Sequence, residues 1–230
     1  MKILEDVKQI IDSKGPVLTV QEVRDIISNF PNNGIIIDVG CNEGLWISKF
    51  KNIIPKNVIT IGIDPNYYNL TKEYTYYLNL VINLKDGEDC NFYIYKERAC
   101  NSLYKIPEDK TKLNNEIFDL EYIKQVKTIT LRTILNELKL NTQIIRYLKV
   151  DCQGSDLNVF KSLGEYIKNT QYVQLETSFQ VDGLYENQSF YKQDFYEMDK
   201  FGFEPILYTI PSSSFTREGD VVYKNLKFKE

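Results

Sequence analysis

The strongest constraint on the fold is a set of short segments, apolar nearly throughout and rich in β-branched residues, each carrying an acid at or near its carboxyl end. They are IIIDVG from Ile35 to Gly40, VITIGID from Val58 to Asp64, IIRYLKVD from Ile144 to Asp151 and YVQLET from Tyr172 to Thr177. A strand with one face in water alternates polar and apolar residues, whereas a continuous apolar run must be covered on both faces, as in a parallel sheet flanked by helices. Amphipathic stretches lie between these runs. One follows Gly44 to Phe50 and is stopped by Pro55, completing a βαβ unit of about 30 residues. Others cover Arg132 to Lys139, the residues from about Asp156, and Tyr191 to Phe201, with a further strand expected at Lys127 to Leu131. The closing segments EPILYTI and DVVYKNLKF are adjacent strands, which form an antiparallel hairpin at the sheet edge. The expected fold class is therefore α/β, doubly wound and mostly parallel, with an antiparallel C-terminal hairpin.

Upstream, Leu4, Val7, Ile10 and Ile11 repeat at helical spacing and a second helical stretch runs from about Val20 to Asn29, so residues 1–33 read as a helical cover. Residues 34–230 then form the main domain, and 230 residues suit one core. Two regions are less regular. Asp86-Gly87 marks a tight turn between extended segments, and Lys105 to Asn115 is a polar stretch expected to form an exposed loop.

Composition removes several classes of function. Asp plus Glu number 32 against 28 Lys plus Arg, a net charge of −4, which opposes long-range attraction to a polyphosphate backbone. Nucleic acid is not an expected partner. The start, MKILEDVKQIIDSKG, lacks the basic and apolar regions of a secretory signal, and no apolar run approaches the roughly 20 residues of a membrane span. A soluble cytoplasmic protein is expected, with Cys41, Cys90, Cys100 and Cys152 as free thiols outside any zinc-binding spacing. There is no histidine. That excludes Ser-His-Asp and Cys-His triads and any metal site built on imidazole, and it assigns proton transfer to another group.

Four strand-end features carry the candidate chemistry. Asp38-Val-Gly40-Cys-Asn42-Glu-Gly44 stands where the first strand meets its helix, and its glycines allow a sharp turn and close approach to a ligand. The spacing is neither a dinucleotide fingerprint nor a phosphate-cradling loop. A ligand with an amino-acid end suits it, met by backbone groups and Asp38; on this reading Gly40→Val blocks the ligand and spares the sheet. Asp64, followed by Pro65, offers two acceptor oxygens to the hydroxyls of a ribose, so that Asp64→Ala affects binding far more than folding. Asp151, in Lys149-Val-Asp151-Cys-Gln153-Gly154-Ser-Asp156, lies at the carboxyl edge of the sheet, where open α/β folds bind ligands. Asp156 is either part of that site or a cap of the following helix. Glu176 brings another carboxylate to the same edge, where burial requires a partner or a raised pKa.

From IIIDVGCNEG through IGIDPN, Asn101-Ser102-Leu103, TITLRTIL and YLKVDCQGSDLNVFKSL to VQLETS, the chain resembles the FkbM family of methyltransferases, over about Gly34 to Phe203. The resemblance implies a seven-strand Rossmann-like fold, S-adenosylmethionine as donor, and O-methylation of a sugar, glycan or small natural product. It places Asp38, Gly40, Asn42, Gly44, Asp64 and Pro65 around the cofactor. Gln153 stands where the family usually has Glu, and Asp156 where it usually has a second Glu. Asp151 and Glu176 are the candidate catalytic pair, acting either as a base or by holding Mg²⁺, Ca²⁺ or Mn²⁺; the metal-free version is favoured because Gln153 removes a charge. Two rivals remain open at this point: a module that binds the cofactor without turnover, and an NAD-dependent oxidoreductase on the same fold. The acceptor's identity and the oligomeric state have no signature in the sequence.

Overall fold

The apolar runs form the centre of the sheet. The computed structural model describes residues 17–111, 116–209 and 218–229, and the helix expected at Leu4 to Ile11 lies outside them. In chain order the elements are α1 (Val20–Ser28), β1 (Ile35–Val39), α2 (Leu45–Ser48), β2 (Ile59–Ile63), β3 (Tyr76–Leu78), β4 (Val81–Ile82) and β5 (Asp89–Tyr95). There follow α3 (Glu108–Thr111), β6 (Leu120–Ile129), α4 (Leu131–Glu137), β7 (Ile145–Val150), α5 (Asp156–Lys161), β8 (Thr170–Ser178), α6 (Tyr191–Phe201), β9 (Phe203–Tyr208) and β10 (Glu218–Asn225). Seven strands make the main sheet in the order β3-β2-β1-β7-β8-β10-β9. The pairs β1–β2, β2–β3, β1–β7 and β7–β8 are parallel, and β10 runs antiparallel to both β8 and β9.

Every residue of β1 and β7 is buried, as continuous apolar runs require. On one face Val23 and Ile27 of α1, with Ile47 of α2, pack against Ile36, Tyr147 and Val222. On the other, residues of α4, α5 and α6, including Leu135, Phe160 and Met198, cover Ile37, Leu148 and Val173. This doubly wound arrangement directs the carboxyl ends of β1, β2 and β7 to one edge.

The strand that the sequence predicts at Lys127 to Leu131 is corrected by the structure. Of those residues Lys127, Thr128 and Ile129 end the ten-residue strand β6, which lies outside the main sheet in a second one ordered β4-β6-β5. Most of β6 is exposed, so EYIKQVK could not occupy a strand buried on both faces. Leu131 instead opens α4, because the Thr130 hydroxyl accepts the Thr133 N–H at 3.1 Å and caps the helix. The turn at Asp86-Gly87 does separate extended segments, but β6 lies between them. Gly87 N–H donates to Thr128 O at 2.7 Å and the Asp86 carboxylate accepts Thr130 N–H at 2.7 Å, docking the turn onto the end of β6. The polar stretch from Lys105 contains the short helix α3 in its described part.

One contact beneath the sheet edge follows from a single missing Cβ. The Tyr74 ring lies against Gly62 so closely that a Cβ there would stand 2.7 Å from it. This lets the Tyr74 hydroxyl donate to Asp38 Oδ2 at 2.6 Å in the interior. Gly62→Ala should therefore lower stability by about 1–3 kcal/mol through overpacking and loss of that bond. Urea unfolding checks this, and an unchanged midpoint would show that the ring shifts freely.

Candidate functional site

At the carboxyl ends of β1, β2 and β7 lies a cleft of about 670 Å³, counted with its solvent-filled mouth. Gly40, Asn42, Asp64, Pro65 and Asp151 line it, and Val81, Ile82 and Phe92 of the second sheet, together with Leu103, give it an apolar wall. Gly40 has φ of 71°, and a Cβ there would fall 1.8 Å from the Asp151 carbonyl oxygen. The glycine thus serves the junction of β1 with the loop after β7. Gly40→Val would displace that loop, which corrects the expectation that it would spare the sheet and obstruct only a ligand.

The loop's backbone is also more fully employed than the sequence reading supposed. Gly40 and Cys41 N–H donate to Ile63 O at 2.8 and 3.2 Å, Gly44 N–H donates to Cys41 O at 2.8 Å, and Asn42 N–H donates to Asp64 Oδ2 at 2.8 Å. A ligand's carboxylate could not be met by these donors; carbonyl oxygens and side chains remain for an ammonium. Asp64 accepts Asn66 N–H on its other oxygen at 2.8 Å, so it pins two loops as well as lining the cleft. Burial raises its pKa, against the lowering effect of those N–H donors.

Two residues assigned to the cofactor from sequence do not reach the wall of the cleft. Gly44, with φ of 71°, opens α2 and faces Leu70 and Tyr74. Asp38 is wholly buried beneath the loop between Tyr74 and Lys149, whose Nζ stands 3.6 Å from Oδ1. Its pKa is raised by burial, which outweighs the lowering effect of Lys149 and Tyr74.

The β7 end brings the candidate catalytic pair together through a third residue. Asp151, its side chain 34% exposed, faces Lys149 Nζ at 3.1 Å. Gln153 Nε2 donates to Asp151 Oδ1 at 2.7 Å and to Glu176 Oε2 at 2.9 Å, while the Tyr185 hydroxyl donates to Gln153 Oε1 at 2.7 Å. Glu176 therefore joins Asp151 at the edge of the cleft without lining it. Burial pushes its carboxyl well above the usual range, with Asp151 and Glu218 adding to the rise. Asp156 has neither of the roles considered for it from sequence. It is the first residue of α5, and its carboxylate accepts the N–H of Cys152 and of Gly154, each at 3.1 Å, bracing the loop that carries Gln153.

Several site residues escaped sequence reasoning. Tyr185 and Glu218 sit in segments without a motif, and the cleft residues Arg98 and Ala99 belong to a short 3-10 turn. Ser102 had a signal, the Asn-Ser-Leu triplet; its hydroxyl donates to Gln153 O at 2.7 Å and ties the second sheet to the β7 loop. Among the described residues no three Cys, Asp or Glu side chains converge as a metal-ligand set. No helix among them is long and apolar enough to cross a membrane.

The buried acids give stability a definite pH dependence. Burial lifts Asp156 to about 8, Glu218 to about 7 and Asp194 to about 6, in the first two cases with help from Asp151. The native state holds these protons more tightly than the unfolded chain, so their contribution is complete below ordinary carboxylate pKa values and is lost as pH rises through about 6 to 8. Urea midpoints should fall between pH 5 and pH 8.5, and less steeply in Asp156→Asn. A midpoint that rises over this interval would contradict the assignment.

A family model described as the methyltransferase FkbM domain matches residues 38–204 of the 230. Among solved structures, a "putative rRNA-methylase" from Clostridium thermocellum aligns over 92% of this chain and 100% of its own, at 13% identity and a TM-score of 0.45. No curated protein matches the chain. Since the family match runs from the acid of β1 through the cleft, the β7 loop and Glu176, and covers well over half of the sequence, the chain belongs to the FkbM-domain family of methyltransferases.

Proposed function

We propose that this methyltransferase uses S-adenosylmethionine to methylate a hydroxyl of a sugar, glycan or small natural product. The observation that carries the reading is the convergence on one cleft of the Gly40 loop, the Asp64 carboxylate, an apolar wall and Asp151. The residues present fit the donor. Asp64 retains acceptor capacity for ribose hydroxyls beyond its two N–H bonds, Val81, Ile82, Phe92 and Leu103 would hold the adenine, and Asn42 with Asp151 would meet the amino-acid end. When bound, S-adenosylmethionine supplies a methyl group on a sulfonium centre. The protein's own work is to orient the acceptor and exclude water, and to take up the hydroxyl proton.

For that proton the pair Asp151 and Glu176 is the best-placed group of this histidine-free chain. Asp151 opens onto the cleft, and Glu176 is linked to it through Gln153, so a proton taken up at Asp151 lies one hydrogen-bonded bridge from a second carboxyl group. The carboxylates near this edge, Glu176, Glu218 and Asp220 together with Asp151, favour a neutral acceptor over an anionic one.

Asp64→Ala tests the cofactor half of the reading by calorimetry with S-adenosylmethionine. Loss of charge-assisted bonds should weaken binding about 10–100-fold. Because Asn42 and Asn66 N–H also lose their acceptor, stability should fall by about 1–2 kcal/mol, unlike the selective effect the sequence suggested. Unchanged affinity would remove Asp64 from the site.

A further inference from the structure

We propose that Gln153 is a positioning residue, which clamps Asp151 and Glu176 into a single pair and takes the place that a bridging cation would otherwise fill. The inference rests on the reading that this pair serves the acceptor hydroxyl. Both hydrogens of the Gln153 amide are committed, one to Asp151 Oδ1 at 2.7 Å and one to Glu176 Oε2 at 2.9 Å. Its Oε1 accepts from the Tyr185 hydroxyl at 2.7 Å. The Tyr185 hydroxyl also lies 3.2 Å from the Cys100 carbonyl oxygen and could accept as well as donate, so it is the two carboxylates that set the direction of the clamp: the opposite amide orientation would turn a carbonyl oxygen toward both of them.

The loop is built to hold this side chain in place. Gln153 has φ of 54° and is followed by Gly154 at 98°, a kink that costs a non-glycine residue about 1 kcal/mol or more. Asp156 holds the N–H groups on either side of Gln153, and Ser102 donates to its carbonyl oxygen. Lys149 serves the other oxygen of Asp151 but is bonded to no atom of Glu176, so a neutral double donor at this point is what joins the two acids. A glutamate in its place would bring three carboxylates together and require a proton or a cation to relieve them.

The test uses the full chain and its Gln153→Glu and Gln153→Met variants, with thermal unfolding at pH 5 and pH 8, with and without 1 mM Mn²⁺. At pH 5 the introduced carboxylic acid can be protonated and donate to one of the two acids, so the Tm of Gln153→Glu should lie only about 2–4 °C below the parent; at pH 8 it should lie about 5–10 °C below. Mn²⁺ should recover a substantial part of that loss and leave the parent unchanged. Gln153→Met fills similar space without a donor, and its deficit should likewise grow between pH 5 and pH 8. A deficit equal at both pH values in both variants, as expected of a packing role alone, would overturn the proposal. So would an equal Mn²⁺ shift in parent and variant. Calorimetry of the parent with S-adenosylmethionine reports separately on the cofactor reading, since failure to bind would remove that reading without altering the pH and Mn²⁺ comparisons.

Discussion

The buried ammonium of Lys149 is the interaction on which the sheet edge depends. Its side chain is only 7% exposed, and Nζ stands 3.1 Å from Asp151 and 3.6 Å from Asp38. Burial alone would lower its pKa, but Asp151, Asp38 and Asp220 more than offset that, so the charge is retained. The strand registers explain the grouping. Asp38 of β1 pairs with Lys149 of β7, Lys149 with Gln174 of β8, and Gln174 Nε2 donates to Asp220 of β10 at 2.9 Å. A polar row therefore crosses four strands beneath α1 and α2, with one cation serving its acids. A buried charge of this kind is tolerated only when paired and hydrogen-bonded, and each acid here has a donor or countercharge in reach.

Above this row the edge divides its work. The β1 and β2 ends make the polar side of the cleft, whereas the second sheet supplies its apolar wall through Val81, Ile82 and Phe92. The β4-β6-β5 sheet is thus part of the site as well as a surface addition. Ser102, whose backbone pairs with Tyr93 of β5, binds the carbonyl of Gln153 and couples that wall to the loop carrying the acids. The cleft and the candidate acid pair are consequently fixed to each other through Asp151, Gln153 and Ser102.

Much of this was legible in the sequence because the central strands obey one local rule. A strand buried on both faces must be apolar throughout, and Ile35–Val39, Ile59–Ile63 and Ile145–Val150 are nearly so; the helical period of Tyr191–Phe201 was equally plain. The strand β6 was misread because it is exposed along most of its length and its place depends on pairing with β5. Gly40 was legible as a turn, but its reason, the Asp151 carbonyl about 110 residues away in sequence, is tertiary. Gln153 stood out as a departure from the family pattern. Its meaning did not, because its partners Glu176 and Tyr185 lie 23 and 32 residues away and meet it only after β8 is laid beside β7.

On the proposed reading the cleft at the ends of β1, β2 and β7 should hold an adenosyl sulfonium in preference to a pyrophosphate-linked dinucleotide. The spent N–H groups of the Gly40 loop leave little for a pyrophosphate, while Asp64 and the apolar wall remain available to a nucleoside. Isothermal titration of the parent chain with S-adenosylmethionine and, separately, with NAD tests this most directly. The account predicts saturable one-to-one binding of S-adenosylmethionine and no measurable heat from NAD; saturable NAD binding with none for S-adenosylmethionine would contradict it.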